Sequence, residues 1–358
     1  MADTTTREVE GVDSGLADSD RRGRRRELLR RAGLYSVLTV VGIGLLFPFL
    51  VVAGASLKAR DDIFRYPPRV LPYTQDTAEL AGQDEALPLY DIDGEERVLV
   101  ESVGGGAGAF ALPEDPDDVV EANIRTATTV DSVSPRPENF EEVLDQQNLG
   151  RSLTNTILVT LLVVGGTVLT SLMGGYAFAR IDFPGRDALF LVYIGSIMVP
   201  FVILIVPLYQ VMVAFGWVDS LAALVFPFVF NAYGTFLIRQ FFVSIPKELE
   251  EAAVLDGAGR WTILWRIFVP LSTPAIATLS TFMFLYAWNS FVWPFIVINA
   301  GNTDNHVLTL SLQQLGGRAA DTPNLIFAAV MIAIAVPVTV FVLAQRYFVE
   351  NLASSGIK

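Results

Sequence analysis

Six long apolar runs dominate the chain, at roughly 32–57, 152–179, 188–214, 220–243, 273–298 and 323–345. Each can supply the about 20 residues that a helix needs to cross hydrocarbon. The cores of five contain no Asp, Glu, Lys, Arg or His, and the fourth run carries only Arg239, near its end. Helices buried in soluble cores seldom run this far without a charge, so the pattern predicts six transmembrane helices. Between the first two runs, residues 58–150 are polar and acidic. There DIDGEERVLVESV alternates like a short strand pair and is followed by GGGAG, which reads as linker rather than a nucleotide site, and PEDPDD. The prediction is a small, partly ordered insertion with some β-structure.

The segment 246–270, PKELEEAAVLDGAGRWTILWRIFVP, breaks the apolar pattern between the fourth and fifth runs. Pro246 fits the first turn of a helix, and Glu248, Glu250 and Glu251 suit its positive end. Leu249, Ala252, Ala253 and Asp256 share a face by their spacing, and Gly257 and Gly259 then end or bend the helix. Trp261, Leu264, Trp265 and Phe268 form an apolar stripe on a second helix, which Pro270 stops before Pro274 opens the next run. A carboxylate placed at Gly257 is expected to crowd the turn. The prediction is a helix–turn–helix whose small residues let a partner backbone come close, or else an amphipathic helix lying on the membrane surface.

Composition narrows the chemistry. Of 358 residues, 52% are hydrophobic and the mean hydropathy is +0.47, values of a membrane protein. There is no cysteine, which excludes disulfides, thiolate metal sites and Cys nucleophiles. The single histidine, His306, falls in a predicted loop and is expected to be solvated, so no metal site is expected. No G-x-x-x-x-G-K-[ST] phosphate loop occurs, so this chain does not hydrolyse ATP by itself.

Charge sets the orientation. Arg21, Arg22, Arg24, Arg25, Arg26, Arg30 and Arg31 crowd the start of the chain. Beside a span they read as a topology signal rather than a nucleic-acid site, and they place the N-terminus in the cytoplasm. Six spans then return the C-terminus to the same side. The basic loop 180–187 and the 246–270 segment fall inside, and GWVDS at 216–220 and 299–322 outside. The formal charge of −13 is concentrated outside, with 19 Asp/Glu against three Arg over residues 72–149. The organisation predicted is a basic cytoplasmic tail (1–31), a first transmembrane helix (32–57), an acidic extracytoplasmic insertion (58–150), a five-helix core (151–345) holding the loop 244–272, and a cytoplasmic tail (346–358).

A few polar residues lie inside the runs. Asn231 and Asn289 are costly in hydrocarbon unless paired, so they serve either as ties between helices or as cavity lining. With Tyr233 and Trp288 they would suit a sugar, since rings stack on its apolar face and amides bond its hydroxyls. Small-residue pairs, Gly165-Gly166 and Gly174-Gly175, allow close helix approach. The span centres carry no ionisable group, which disfavours a proton- or sodium-coupled carrier.

Glu251-Ala252-Ala253, three residues, Gly257, nine residues, then Ile267-Phe268-Val269-Pro270 resembles the EAA loop, E-A-A-x3-G-x9-I-x-L-P, of binding-protein-dependent ABC importer permeases. Val269 stands where that family usually has Leu. YPPRVLP, PENFEEVL, ARIDFPGRD, AWNSFVWPF and the terminal QRYFVENLASSGIK extend the resemblance to the MalG-like carbohydrate-uptake subfamily over about 31–72 and 135–358. The acidic block at about 73–134 lies outside it.

The resemblance implies an all-α polytopic permease with a cytoplasmic EAA coupling helix, embedded in the cell membrane and itself non-catalytic. Glu251, Ala252, Ala253, Asp256 and Gly257 would contact a cytoplasmic ATPase subunit. Its partners would be a second permease, two ATP-binding cassette subunits that carry ATP and Mg, and an extracytoplasmic solute-binding protein. The tail from Gln345 to Lys358 would also touch the ATPase. The solute would be a sugar or oligosaccharide, with a polyol phosphate or a peptide as the alternative. On the residues alone, an ATP-independent secondary carrier and a membrane-anchored adhesion or sensory module stay open.

Overall fold

The computed structural model describes residues 4–81, 86–145, 148–317 and 321–355, the side chains of 4–26 and 346–355 excepted. The side chains of the N-terminal arginines up to Arg26, and those expected to form the C-terminal ATPase contact beyond Gln345, lie outside the described set. The chain divides into two compact units, Met1–Gly54 and Ala55–Lys358.

The first unit is helix α1 (Thr4–Ser56), with Pro48 inside it. The basic tail and the first apolar run are therefore one continuous helix rather than separate segments. Its apolar side chains from Leu34 to Leu50 are exposed, as on a helix whose solvent is hydrocarbon.

The second unit opens with the short helix α2 (Arg60–Ile63) and a β-insertion far more extensive than the expected strand pair. Strand β1 (Tyr73–Gln75) pairs with the last strand, β8 (Asp131–Val133), as a two-stranded stalk. Between them β2 (Thr77–Glu79), β3 (Ala86–Ile92), β4 (Glu95–Gly104), β5 (Ala107–Leu112) and β6 (Asp115–Asn123) form an antiparallel meander, and β7 (Thr128–Thr129) pairs with β3. Asp93 and Gly94, at φ 56° and 90°, make the two-residue β3–β4 turn, whose handedness matches strand twist. The GGGAG run is the β4–β5 turn and not a linker: Gly104, Gly105 and Gly106 all have positive φ. Alternation gives the sheet two apolar faces, Leu80, Leu89, Val98 and Ala111 on one, and Tyr90, Ile92 and Phe110 on the other.

Buried polar contacts fix this insertion to the helices that follow, α3 (Glu138–Asp145), α4 (Leu149–Arg180) and, at the end of the chain, Pro323–Ser355. Lys58 and Asp62 pair at 3.2 Å, both 5% exposed, and Lys58 Nζ also donates to the Arg69 carbonyl at 2.7 Å. Asn139 Nδ2 donates to the carbonyls of Ser56 and Lys58, and its own Oδ1 accepts from Asn324. At the stalk, Arg65 and Arg69 converge on Asp131, whose side chain is 6% exposed, at 2.9 and 2.8 Å. Burial alone would push the Asp131 carboxyl up, but the hydrogen bonds from Arg65, Arg69 and Thr129 outweigh it and hold it below the usual carboxylate value.

The remaining helices are α5 (Arg186–Gly195), α6 (Phe201–Phe215), α7 (Leu221–Val225), α8 (Ala232–Ser244), α9 (Lys247–Leu255), α10 (Arg260–Ile263), α11 (Val269–Leu271), α12 (Thr273–Trp288), α13 (Val292–Val297), α14 (Leu308–Gly316) and α15 (Pro323–Ser355). Within the described residues α1, α4 and α15 are long and apolar enough to cross a membrane unbroken. Three further pairs qualify only if each bent pair is one span: Arg186–Met198 with Phe201–Phe215 (103°), Leu221–Phe228 with Ala232–Ser244 (41°), and Arg260–Leu271 with Thr273–Trp288 (79°). The apolar runs 188–214, 220–243 and 273–298 are thus broken, as prolines inside them, each of which bends or breaks a helix, lead one to expect. At the first break Val199 is extended, as the residue before Pro200 prefers to be. The run 273–298 ends as a helix at Trp288, and α13 is separate.

Helix α4 runs at the centre, packed on α8 and α12. A Cβ on Gly175 would lie 2.8 Å from Ile238 Cγ2 and 3.1 Å from the Arg239 backbone nitrogen, and one on Gly166 would lie 2.6 Å from Val229 Cγ1. Gly165 has open space around it, so only one residue of that pair sets the approach. Gly175→Val is expected to destabilise the fold by about 1–3 kcal/mol through overpacking. A lowered melting temperature in detergent checks this, with Gly165→Val as the neutral control.

His306 is not solvated. It is 1% exposed, its ring Nε2 lies 3.3 Å from the Asn299 carbonyl, and its own carbonyl accepts from Asn155 Nδ2 at 2.8 Å. The loop that carries it folds back under α4, where an apolar-faced imidazole packs better than it hydrates.

Candidate functional site

The charged segment between α8 and α12 folds as a projecting helix, a tight turn and a packed helix. Pro246 is the N-cap of α9, one position before the expected first turn, and no residue of α9 is buried. The helix ends in a Schellman motif: the Ala258 N–H reaches the Ala253 carbonyl at 2.9 Å and the Gly257 N–H reaches the Val254 carbonyl at 3.0 Å. Gly257 occupies the left-handed position at φ 80°. A Cβ built on it meets nothing within 4 Å, so the glycine is required by its backbone and not by crowding. Gly259 has ordinary backbone, φ −76°, and caps α10.

This turn decides which side chains project. Glu251, Ala252, Asp256 and Gly257 are exposed. Ala253 is half-buried and, with Ala258, packs against the main apolar cluster. The expected shared face of Leu249, Ala252, Ala253 and Asp256 is therefore split, because the Schellman turn folds Ala258 back over Ala253. The outward surface instead contains Leu255, 88% exposed, and Val254, 58% exposed. The signal for Leu255 was present in the sequence as an apolar pair, Val254-Leu255, set between Ala253 and Asp256.

The second helix buries Ile263, Leu264 and Phe268, with Ile267 partly buried beside them. Trp261 and Trp265 are 61% and 41% exposed, so the expected stripe is rotated, with both tryptophans on its outer flank. Pro270 does not stop this run: the backbone is π-helical over Leu264–Phe268, turns once more through Val269–Leu271, and breaks at Ser272.

One residue ties these pieces together. Arg180, the last residue of α4, has a side chain only 4% exposed. Its Nη2 donates to the carbonyls of Phe242 (2.7 Å) and Ile245 at the end of α8. Its guanidinium sits 5.0 Å over the Phe268 ring and 3.7 Å from the Glu250 carboxylate, which also accepts from the Tyr176 hydroxyl at 3.3 Å. A single planar cation thus joins α4, α8, α9 and the packed helix. The sequence shows only an arginine after an apolar run, which topology already explains.

Each of the four candidate pathway residues has partners outside that set. Asn231 caps α8, its Oδ1 accepting the Gly234 N–H at 2.9 Å, so it serves the break in its own span. Tyr233 is 40% exposed and meets Phe282 edge-on at 6.3 Å. Asn289 is exposed and donates to the Leu285 carbonyl one turn back, at 2.8 Å. Trp288 is buried, stacks on Phe284 and donates to the Ala333 carbonyl of α15 at 3.2 Å. Trp288 also lines an internal cavity of about 20 Å³ with Thr156, Phe228, Tyr286, Trp293 and Thr309, which has room for little more than one water.

Comparison with known proteins gives consistent matches. Residues 166–354 match the family described as binding-protein-dependent transport system inner membrane component. The chain is 35% identical over 226 residues to an sn-glycerol-3-phosphate transport system permease protein, UgpE, of Rhizobium meliloti, covering 61% of this chain and 80% of that one. It is 32% identical over 204 residues to the arabinooligosaccharides transport system permease protein AraQ of Halalkalibacterium halodurans, covering 57% and 72%. Its fold resembles a chain in the crystal structure of a bacterial ABC transporter involved in the import of alginate, with a TM-score of 0.61 at 19% identity over 88% of this chain and 94% of that one.

Proposed function

The chain belongs to the inner membrane components of binding-protein-dependent transport systems, and from that premise we propose that it is one of two permeases of an ATP-driven importer for a sugar or oligosaccharide. It is non-catalytic. ATP and Mg belong to two cassette subunits, which dock on α9 at the cytoplasmic face, and an extracytoplasmic solute-binding protein delivers the solute on the side of the β-insertion. Both termini lie in the cytoplasm. The UgpE relatives make a polyol phosphate the second reading of the solute.

The observation that carries this reading is the shape of the α9 segment: an apolar tip at Leu255 with Glu251, Ala252, Asp256 and Gly257 exposed beside it, on a base held by Arg180. Leu255 does not stand alone: Val254 and Leu249 on the same helix are also exposed, at 58% and 44%, and together they offer apolar surface of the kind a partner covers. Closure of the ATPase dimer on ATP then displaces α9, and Arg180 carries that displacement to the ends of α4 and α8. ATP biases the bundle because it binds the closed ATPase state more tightly than the open one.

Affinity purification of the tagged chain in mild detergent is expected to bring a nucleotide-binding subunit and a second permease. Leu255→Asp is expected to lose the nucleotide-binding subunit while leaving membrane insertion and the second permease in place. Recovery of the Leu255→Asp chain with its full complement of ATPase would remove α9 as the docking site. A wild-type chain that purifies alone with its fold intact would point to an independent carrier.

A further inference from the structure

Beside the Arg180 junction lies a groove of about 210 Å³ lined by Met173, Tyr176, Ile181, Arg260, Trp261 and Leu264. Met173 and Tyr176 stand in the last two turns of the α4 span, and Trp261 and Leu264 come from the packed helix that precedes α12. The groove is therefore at the level where the span leaves hydrocarbon. Its walls are almost wholly apolar, and its one cation, Arg260, forms no hydrogen bond or ion pair among the described residues. Glu250 also reaches Tyr176, but Arg180 already neutralises it at 3.7 Å. Trp265 and Arg266, both exposed, continue the same outer flank.

We propose that this groove is a binding site for an anionic phospholipid, with an acyl chain along Met173, Ile181 and Leu264, and the phosphate on Arg260 beside the Trp261 indole. Three features argue for a lipid over a soluble anion. The walls offer hydrocarbon contact that a free phosphate cannot use. The site opens at a span end, where lipid is the solvent. Its paired exposed tryptophan and arginine positions, Trp261 with Arg260 and Trp265 with Arg266, have the composition of a headgroup-level belt facing anionic lipid. An occupant there would brace the end of α4 against the packed helix, next to the residues that hold α9.

The test is native mass spectrometry of the full-length chain, stripped of lipid and titrated with phosphatidylglycerol or phosphatidylcholine of the same acyl length. The wild type is expected to retain phosphatidylglycerol roughly fivefold more tightly than phosphatidylcholine. Arg260→Gln is expected to abolish that preference and Arg260→Lys to keep it. Met173→Trp, which fills the groove without changing charge, is expected to weaken both lipids. Equal retention of the two lipids by the wild type, an undiminished preference in Arg260→Gln, unchanged binding in Met173→Trp, or displacement of the lipid by inorganic phosphate would each overturn the proposal. None of these readouts needs ATP or solute, so failure here is separable from failure of the transport reading.

Discussion

Gly257→Val is expected to cut ATP-driven uptake roughly 5- to 30-fold while leaving the chain inserted in the membrane. Gly257 is at φ 80°, the C′ position of the Schellman turn that ends α9. A β-branched residue is a genuine outlier there, and left-handed backbone costs a side chain about 1–2 kcal/mol. That strain is local, because nothing lies within 4 Å of the added Cβ and the turn is exposed. The bundle should therefore assemble, while the population holding α9 in its docking geometry falls roughly 5- to 30-fold. Gly257→Asn separates backbone from bulk, since asparagine tolerates the left-handed region. Uptake should be largely retained in Asn and fall by that factor in Val, measured with labelled solute in vesicles at matched protein levels. Equal uptake by the Val and wild-type chains would remove the turn from the coupling path.

What the sequence disclosed and what it hid follow physical lines. The apolar runs were legible because a span must be long and uncharged whatever packs against it. The turn at Gly257 was legible because few residues other than glycine tolerate its backbone. Prolines in the runs announced that helices would bend or break, but not which prolines would do it. Pro207 and Pro337 sit inside unbroken helices, whereas Pro200 follows an extended residue at a 103° bend. Ala253 and Ala252 look alike in sequence, and only the Schellman turn sends the first toward the bundle and leaves the second exposed. His306 was misplaced for a related reason: a lone polar residue in a loop reads as solvated until Asn155 and Asn299 are seen to draw that loop under α4. The extent of the β-insertion was hidden by acidic residues on its exposed positions, which mask the alternation of Leu89, Val98 and Ala111 on one of its faces.

Arg180 carries the second large effect, and it was invisible to sequence pattern because its partners are backbone carbonyls 62 and 65 residues away. Arg180→Gln is expected to uncouple the transporter: ATP hydrolysis by the assembled complex should persist while solute uptake falls at least about tenfold. The substitution removes a charge from a side chain 4% exposed, leaves the carbonyls of Phe242 and Ile245 short of a donor, and releases Glu250 from its cation. Hydrogen bonds to a charged group contribute about 1.5–3 kcal/mol each, so the end of α8 and the base of α9 should separate as a unit. Lysine is expected to rescue poorly, because a single ammonium cannot span two carbonyls, a carboxylate and the face of Phe268 as a planar guanidinium does. The decisive comparison is the ratio of uptake to ATP hydrolysis in reconstituted vesicles, alongside the melting temperature. A parallel loss of hydrolysis, uptake and thermal stability would make Arg180 a structural clamp only. Loss of uptake with hydrolysis retained would make it the link through which movement of α9 reaches the spans.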